Sequence, residues 1–118
     1  MKMSELARRL AGPLKEYPER DQLLARSAFI MNLVGVLKIT LPDDIFPEGT
    51  PRDSYFFHFG VLCGHFTPDE DVDQVVLKEA HCALTMPWSR AIISRVLYQE
   101  DGKPVEVTTL GVPKSYEV

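Results

Sequence analysis

The longest apolar stretch of the chain covers residues 28–37 and contains one polar residue, Asn32. With the leucines just before it, residues 23–37 are so apolar that a helix here must be buried on most sides. Pro18-Glu19-Arg20-Asp21 precedes this segment and has the form of a helix start. A membrane span requires about 20 consecutive apolar residues, so the run predicts the central helix of a soluble domain. Residues 35–41 can instead be a strand, because Val36, Ile39 and Thr40 are β-branched.

The N-terminal two thirds of the chain predict three or four helices. Residues 4–17 form an amphipathic pattern that ends or kinks at Gly12-Pro13, because proline cannot continue a helix. Residues 55–62 place aromatic side chains at helical spacing, yet they also alternate tolerably as a strand, and both interpretations stay open. Thr67-Pro68-Asp69-Glu70 has the form of a helix cap and predicts a helix that reaches about residue 84.

The C-terminal third changes to a strand-like pattern. Residues 91–99 and 104–112 are rich in β-branched side chains and flank Asp101-Gly102, a dipeptide that favours a two-residue hairpin turn. The sequence therefore predicts an α+β fold in which three or four helices are followed by a C-terminal antiparallel β-hairpin. We expect residues 1–118 to form a single compact domain.

The same C-terminal region carries a resemblance. Trp88-Ser89-Arg90, Gly102-Lys103-Pro104 and Val112-Pro113 together resemble the last hairpin of the chorismate-lyase-like fold, which the effector-binding domains of GntR-type regulators share. The resemblance covers about 30 of the 118 residues. It implies an arginine-bearing strand before the turn and an effector-binding function. Thr109 stands where the lyase carries an acidic residue, which argues against lyase activity.

All three histidines and both cysteines fall between residues 58 and 82, in the order His58, Cys63, His65, His81, Cys82. They are ligands of the softness that zinc prefers, and Cys63, His65 and His81 are the candidate metal ligands. Their spacing differs from the common zinc patterns, and adjacent His81 and Cys82 would point about 100° apart on a helix. Cys63 is also a candidate nucleophile. The alternative for all five is ordinary core packing on two neighbouring elements.

The charge and the cysteine content of the chain argue against some classes of function. The net charge of −4 gives no sign of the basic surface that nucleic-acid binding needs. Two cysteines and a charged N-terminal segment without a signal-like apolar run predict a cytoplasmic protein with no membrane segment.

The leading functional hypothesis is a small non-catalytic binding or regulatory protein that acts through protein–protein contacts, as a homodimer formed through the hairpin edge. Its candidate interface residues are Trp88, Arg90, Arg95 and Tyr98, since aromatic residues and arginine dominate interfaces. We expect no cofactor. The alternatives are a small-ligand or zinc-binding domain, possibly enzymatic, centred on residues 58–82, and a chorismate-lyase-like effector-binding domain.

Overall fold

The computed structural model describes residues 1–39, 55–100 and 103–104, and the side chains of residues 1–39 and 58–98. Five helices make up most of this part of the chain: α1 (Met3–Ala11), α2 (Glu19–Val36), α3 (Tyr55–His65), α4 (Gln74–Cys82) and α5 (Pro87–Leu97). Strands β1 (Gln99–Glu100) and β2 (Lys103–Pro104) have two residues each and pair antiparallel, with Glu100 opposite Lys103. The described part is thus a helical assembly, and the predicted α+β class was wrong.

The segment predicted as the first strand of the hairpin, residues 91–99, lies mostly within α5. Pro87 occupies the first turn of this helix, where its fixed φ is already suitable. Ile92, Ile93, Val96 and Leu97 then share one buried face at helical spacing. Burial of this face outweighs the preference of β-branched residues for strands. The arginine-bearing strand implied by the chorismate-lyase resemblance is therefore a helix, and residues 105–112 lie outside the described residues.

Helix α2 is the centre of the assembly, as the apolar run predicts. It packs against α3, α4 and α5, and it buries Ala25, Phe29, Ile30, Leu33 and Val34. Helix α1 covers α5 and contributes Met3, Leu6 and Leu10 to the same core. No helix in the described ranges is long and apolar enough to cross a membrane.

Helix α2 ends in a Schellman motif, so the strand alternative for residues 35–39 was wrong; residues 40–41 lie outside the described residues. Lys38 adopts the left-handed conformation, with a φ of 56°. Its N–H donates to the carbonyl of Gly35 at 3.1 Å, and the N–H of Ile39 donates to that of Val34 at 3.1 Å. These two bonds satisfy carbonyls that the end of the helix would otherwise leave without donors.

Helix α4 begins later than its sequence pattern predicts. Its cap is Asp73, whose carboxylate accepts a hydrogen bond from the N–H of Val75 at 2.7 Å. The predicted cap at Thr67-Pro68 was wrong because residues 68–72 pair with the N-terminal segment instead. The N–H of Met3 donates to the carbonyl of Glu70 at 2.8 Å, and the N–H of Val72 donates to that of Met1 at 2.7 Å.

Two buried polar side chains hold the connection between α1 and α2. The amide nitrogen of Gln22 donates to the carbonyls of Leu14 at 2.6 Å and Tyr17 at 2.8 Å, and its oxygen accepts from the N–H of Leu14 at 2.9 Å. The guanidinium of Arg26 donates to the carbonyl of Gly12 at the end of α1. The connection thus gains hydrogen bonds that its own backbone does not supply.

Candidate functional site

The five histidines and cysteines do not converge on one point. His58 and His81 are buried, Cys63 is half-buried, and His65 and Cys82 are exposed. Among the described side chains, those of residues 1–39 and 58–98, no group of three or more from histidine, cysteine, aspartate and glutamate is placed to hold a metal ion. The candidate zinc ligands Cys63, His65 and His81 are therefore not assembled. Adjacent His81 and Cys82 face the core and the solvent respectively, which is consistent with side chains that point about 100° apart on a helix.

His81 joins α4 to α5. Its Nε2 lies 2.8 Å from the carbonyl oxygen of Arg90 and 3.3 Å from Oγ of Ser94, and its ring stacks on Tyr98 with a centroid distance of 5.9 Å. Because a carbonyl only accepts, Nε2 must carry the hydrogen and donate it to Arg90. Burial lowers the pKa of His81, so the neutral imidazole is the favoured form.

The contact between Ser94 and His81 is not a nucleophile–base pair. A general base would have to accept the Ser94 proton at Nε2, and that nitrogen is already a donor. Both side chains are also buried, at 1% and 0% exposure, so no substrate reaches them. Cys63 is not activated either, because burial raises the pKa of its thiol and favours the protonated form at neutral pH.

The candidate interface residues are on α5 or just after it, and they have different surroundings. Trp88 is 40% exposed on the first turn. Arg90 is half-buried, and its guanidinium reaches the carbonyl of Thr85 at 3.5 Å. Arg95 forms an ion pair with Glu16, and Tyr98 is the half-buried ring that stacks on His81. Of the four side chains, Trp88 is the one that presents a large apolar surface to solvent.

Trp88 borders a groove of about 310 Å³ between α2 and the connection from α4 to α5. We call it the Trp88 groove; its lining includes Leu24, Ala28, Asn32, Leu84, Met86 and Trp88. Each side of the groove carries an exposed apolar side chain beside polar ones such as Asn32 and Ser89. Leu24 and Met86 are each 50% exposed, although side chains of this kind are usually buried in a finished core.

The Trp88 groove continues into an exposed face of α2. We call this face the outer strip; from the N-terminal to the C-terminal end it consists of Arg20, Leu24, Ser27, Ala28, Met31 and Gly35, and all six are exposed or half-buried. No residue from 27 to 37 is charged, so about two and a half turns of the strip, from Ser27 to Gly35, present only small or apolar side chains to solvent. A helix face exposed to water normally carries charged or polar residues.

Sequence reasoning did not find the outer strip. The apolar run predicts a helix buried on most sides. A helix of that kind is not expected to have an exposed apolar face, so the sequence pattern does not predict one. The absence of charge from residue 27 to residue 37 was the available signal, since it means that whichever face is outward lacks charge. Which face that is depends on how α3, α4 and α5 pack around α2.

A second cavity, of about 520 Å³, lies where α1, α2 and α3 meet. Tyr17, Leu23 and Phe59 supply apolar walls, and Glu19, Gln22 and Arg26 supply polar groups. Its volume is within the range of small-molecule sites.

Comparison with protein families, with characterised proteins and with solved structures finds no match for this chain.

Proposed function

We propose that this chain is a non-catalytic protein-binding module that acts through the outer strip and the Trp88 groove. The observation that carries this proposal is the continuous uncharged surface that joins the exposed part of α2 to Met86 and Trp88. Contiguous apolar patches on a protein surface mark interaction sites far more often than isolated exposed side chains do. The thiols of Cys63 and Cys82 are free, which supports a reducing, cytoplasmic location.

The chemistry of the surface suits a protein partner. Exposed tryptophan anchors interfaces because it buries a large area at a small entropic cost, and methionine adapts to irregular surfaces. Asn32, in the Trp88 groove, keeps a polar group at the edge of the patch while its amide reaches the carbonyl of Ala80 at 3.3 Å. This combination of an aromatic anchor, flexible apolar neighbours and polar edges is typical of transient interfaces.

Photo-crosslinking in cells of the source organism tests the proposal. A benzophenone amino acid replaces Leu24 in one variant and Val75 in a control variant; Val75 is 70% exposed on α4, outside the strip and the groove. We expect a discrete protein adduct from position 24 and none from position 75. Equal adducts from both positions, or none from position 24, would refute the proposal.

A second candidate function, small-ligand binding, rests on the cavity between α1, α2 and α3. A ring would contact Tyr17 and Phe59, and a carboxylate would have to lie on the side of the Arg26 guanidinium, away from the Glu19 carboxylate that also lines the cavity. Titration with benzoate, followed by NMR, tests this function. Binding predicts saturable shifts of the Phe59 and Tyr17 signals that weaken in Leu23→Glu, which adds a negative charge at an exposed position of the lining; a lack of saturation would exclude this class of ligand.

A further inference from the structure

The outer strip is arranged symmetrically about its own centre. Leu24 and Met31 lie at equal distances from the midpoint between Ser27 and Ala28, and so do Arg20 and Gly35. We propose that the partner of this surface is a second copy of the chain, with the two α2 helices packed antiparallel about that midpoint. The inference rests on the proposed function and names its partner. In a twofold interface the same patch faces itself, so a self-complementary strip is what such an interface requires.

Side-chain size supports this pairing. Ser27 and Ala28 at the centre are small, which lets two helix backbones approach to about 8 Å. On either side of the axis, Leu24 of one copy meets Met31 of the other, and both are about half exposed in the single chain. At each end, Arg20 meets the exposed Gly35, where a Cβ would have no atom within 4 Å. The long arginine side chain therefore has open space over the second helix.

The charges are also complementary in this arrangement. The last turn of α2 has no basic residue of its own, although the partial negative charge of its carbonyls favours a cation there. Antiparallel packing places Arg20 of the second copy beside that end. It also brings Lys38, just after one helix, to the level of residue 17, just before the first turn of the other helix, which carries Glu19 and Asp21. A parallel arrangement would instead place Arg20 beside Arg20.

The area of contact indicates a weak, reversible interface. From Arg20 to Gly35 the outer strip is about 23 Å long, and with a width of about 10 Å it covers roughly 230 Å². Stable dimers bury about 800 Å² on each partner, so the strip alone is too small. Met86 and Trp88 stand beside it on the groove side and extend the contact to the flank of the second α2. We expect a reversible dimer with a dissociation constant in the micromolar range.

Sedimentation of the purified full chain over a range of concentrations tests the dimer. Met31→Glu puts a charge into the apolar contact and is expected to weaken dimerisation about tenfold or more. The matched control, Val75→Glu, makes the same kind of change at an exposed valine outside the strip and should leave the dissociation constant unchanged. Equal weakening by the two variants would overturn the proposed interface.

Disulfide crosslinking tests the axis itself. In a Cys63→Ala, Cys82→Ala background, Ala28→Cys places two thiols near the axis, and mild oxidation should yield a covalent dimer in high yield. Val75→Cys is the control and should remain a monomer. A chain that stays monomeric at all concentrations, or that crosslinks equally at both positions, overturns the dimer. If the Leu24 photo-crosslinker then captures a different protein in cells, the proposed function stands while this inference falls.

Discussion

Helices α1 and α2 both bury an apolar face, but the faces that they present to solvent differ in character. The outward face of α1 is charged, and that of α2 is mostly apolar. On α1, Glu5 accepts hydrogen bonds from Nε of Arg8 at 3.0 Å and Nε of Arg9 at 2.7 Å, so its outward face is charged. The outward face of α2 instead carries the apolar side chains of Leu24, Ala28 and Met31. The buried face of a helix identifies the core, whereas its outward face indicates whether that surface is suited to water or to another protein.

The two helices also end differently. Helix α1 ends at Gly12, which has an extended backbone with a φ of −74° that any residue can adopt before a proline. Helix α2 ends through Lys38, which has a left-handed backbone that favours glycine. Gly12 thus occupies a position that does not need the conformational freedom of glycine, whereas Lys38 occupies a position where glycine would be favoured.

The largest expected effect on stability is the difference between substitutions on the inward and outward faces of α2. Phe29 is completely buried, so Phe29→Ala should lower the free energy of unfolding by about 3–5 kcal/mol through lost burial and a cavity. Met31→Ala, two residues later on the outer strip, should change it by less than about 0.5 kcal/mol. Urea unfolding in dilute solution measures both. If Met31→Ala costs as much as Phe29→Ala, the outer strip belongs to the core and the contrast with α1 is lost.

The next effect concerns the end of α2. Lys38→Gly should raise the free energy of unfolding by about 1 kcal/mol, because glycine adopts the left-handed conformation without the steric cost that a Cβ imposes. Lys38→Ala is the control, since it removes the charge but keeps the Cβ. Thermal unfolding of the three proteins checks this expectation, and a destabilised Lys38→Gly would contradict it.

At the end of α1, stability should increase when glycine is replaced, whereas at the end of α2 it should increase when glycine is introduced. Gly12→Ala should raise the free energy of unfolding by about 0.4–1 kcal/mol, because it reduces the freedom of the unfolded chain. A Cβ at Gly12 would meet its nearest neighbour, the carbonyl oxygen of Arg9, at 3.5 Å, an ordinary contact distance. Urea unfolding provides the measurement. A loss of stability would show that the α1–α2 connection requires glycine after all.

The smallest effect tests the charged face of α1. Hydrogen bonds from Arg8 and then Arg9 lower the pKa of Glu5 from its ordinary 4.5 to about 2. Because the pKa is lowered in the folded chain, any stability that this carboxylate adds is present above pH 4.5 and is lost as the pH falls towards 2. Carbon-detected NMR titration should find the low value in the wild type and a higher one in Arg8→Ala. An unchanged pKa in that variant would mean that Arg8 does not hold the carboxylate.

Much of the helical part of the fold could be predicted from the sequence. The apolar run gave α2 because burial on most sides leaves few alternatives for so long a segment, and Gly12-Pro13 marked the end of α1 because proline stops a helix locally. Helix α5 was misread because the β-branched side chains at Ile92, Ile93 and Val96 favour strands unless a helical face is buried. That burial comes from α1, α2 and α4, and no local pattern reports it.

The candidate site was less predictable for a related reason. The residue type of Trp88 alone predicts an interface anchor, and that role stays a prediction. The exposure of Leu24 and Met31 depends on which face of α2 the other helices leave open. The clustering of histidine and cysteine in the sequence does not predict a shared site, because adjacent residues of a helix point about 100° apart and here His81 is buried while Cys82 is exposed.

The pairing of residues 1–4 with residues 68–72 joins parts of the chain about 70 residues apart. Closing so long a loop costs conformational entropy that the few hydrogen bonds there cannot offset alone, so the pairing forms only once the helices between the two segments have docked. The amides of Met3, Ser4 and Val72 all donate across it. In hydrogen–deuterium exchange these three amides should therefore share one opening free energy, as a single cooperative unit that fastens the start of α1 to the approach of α4.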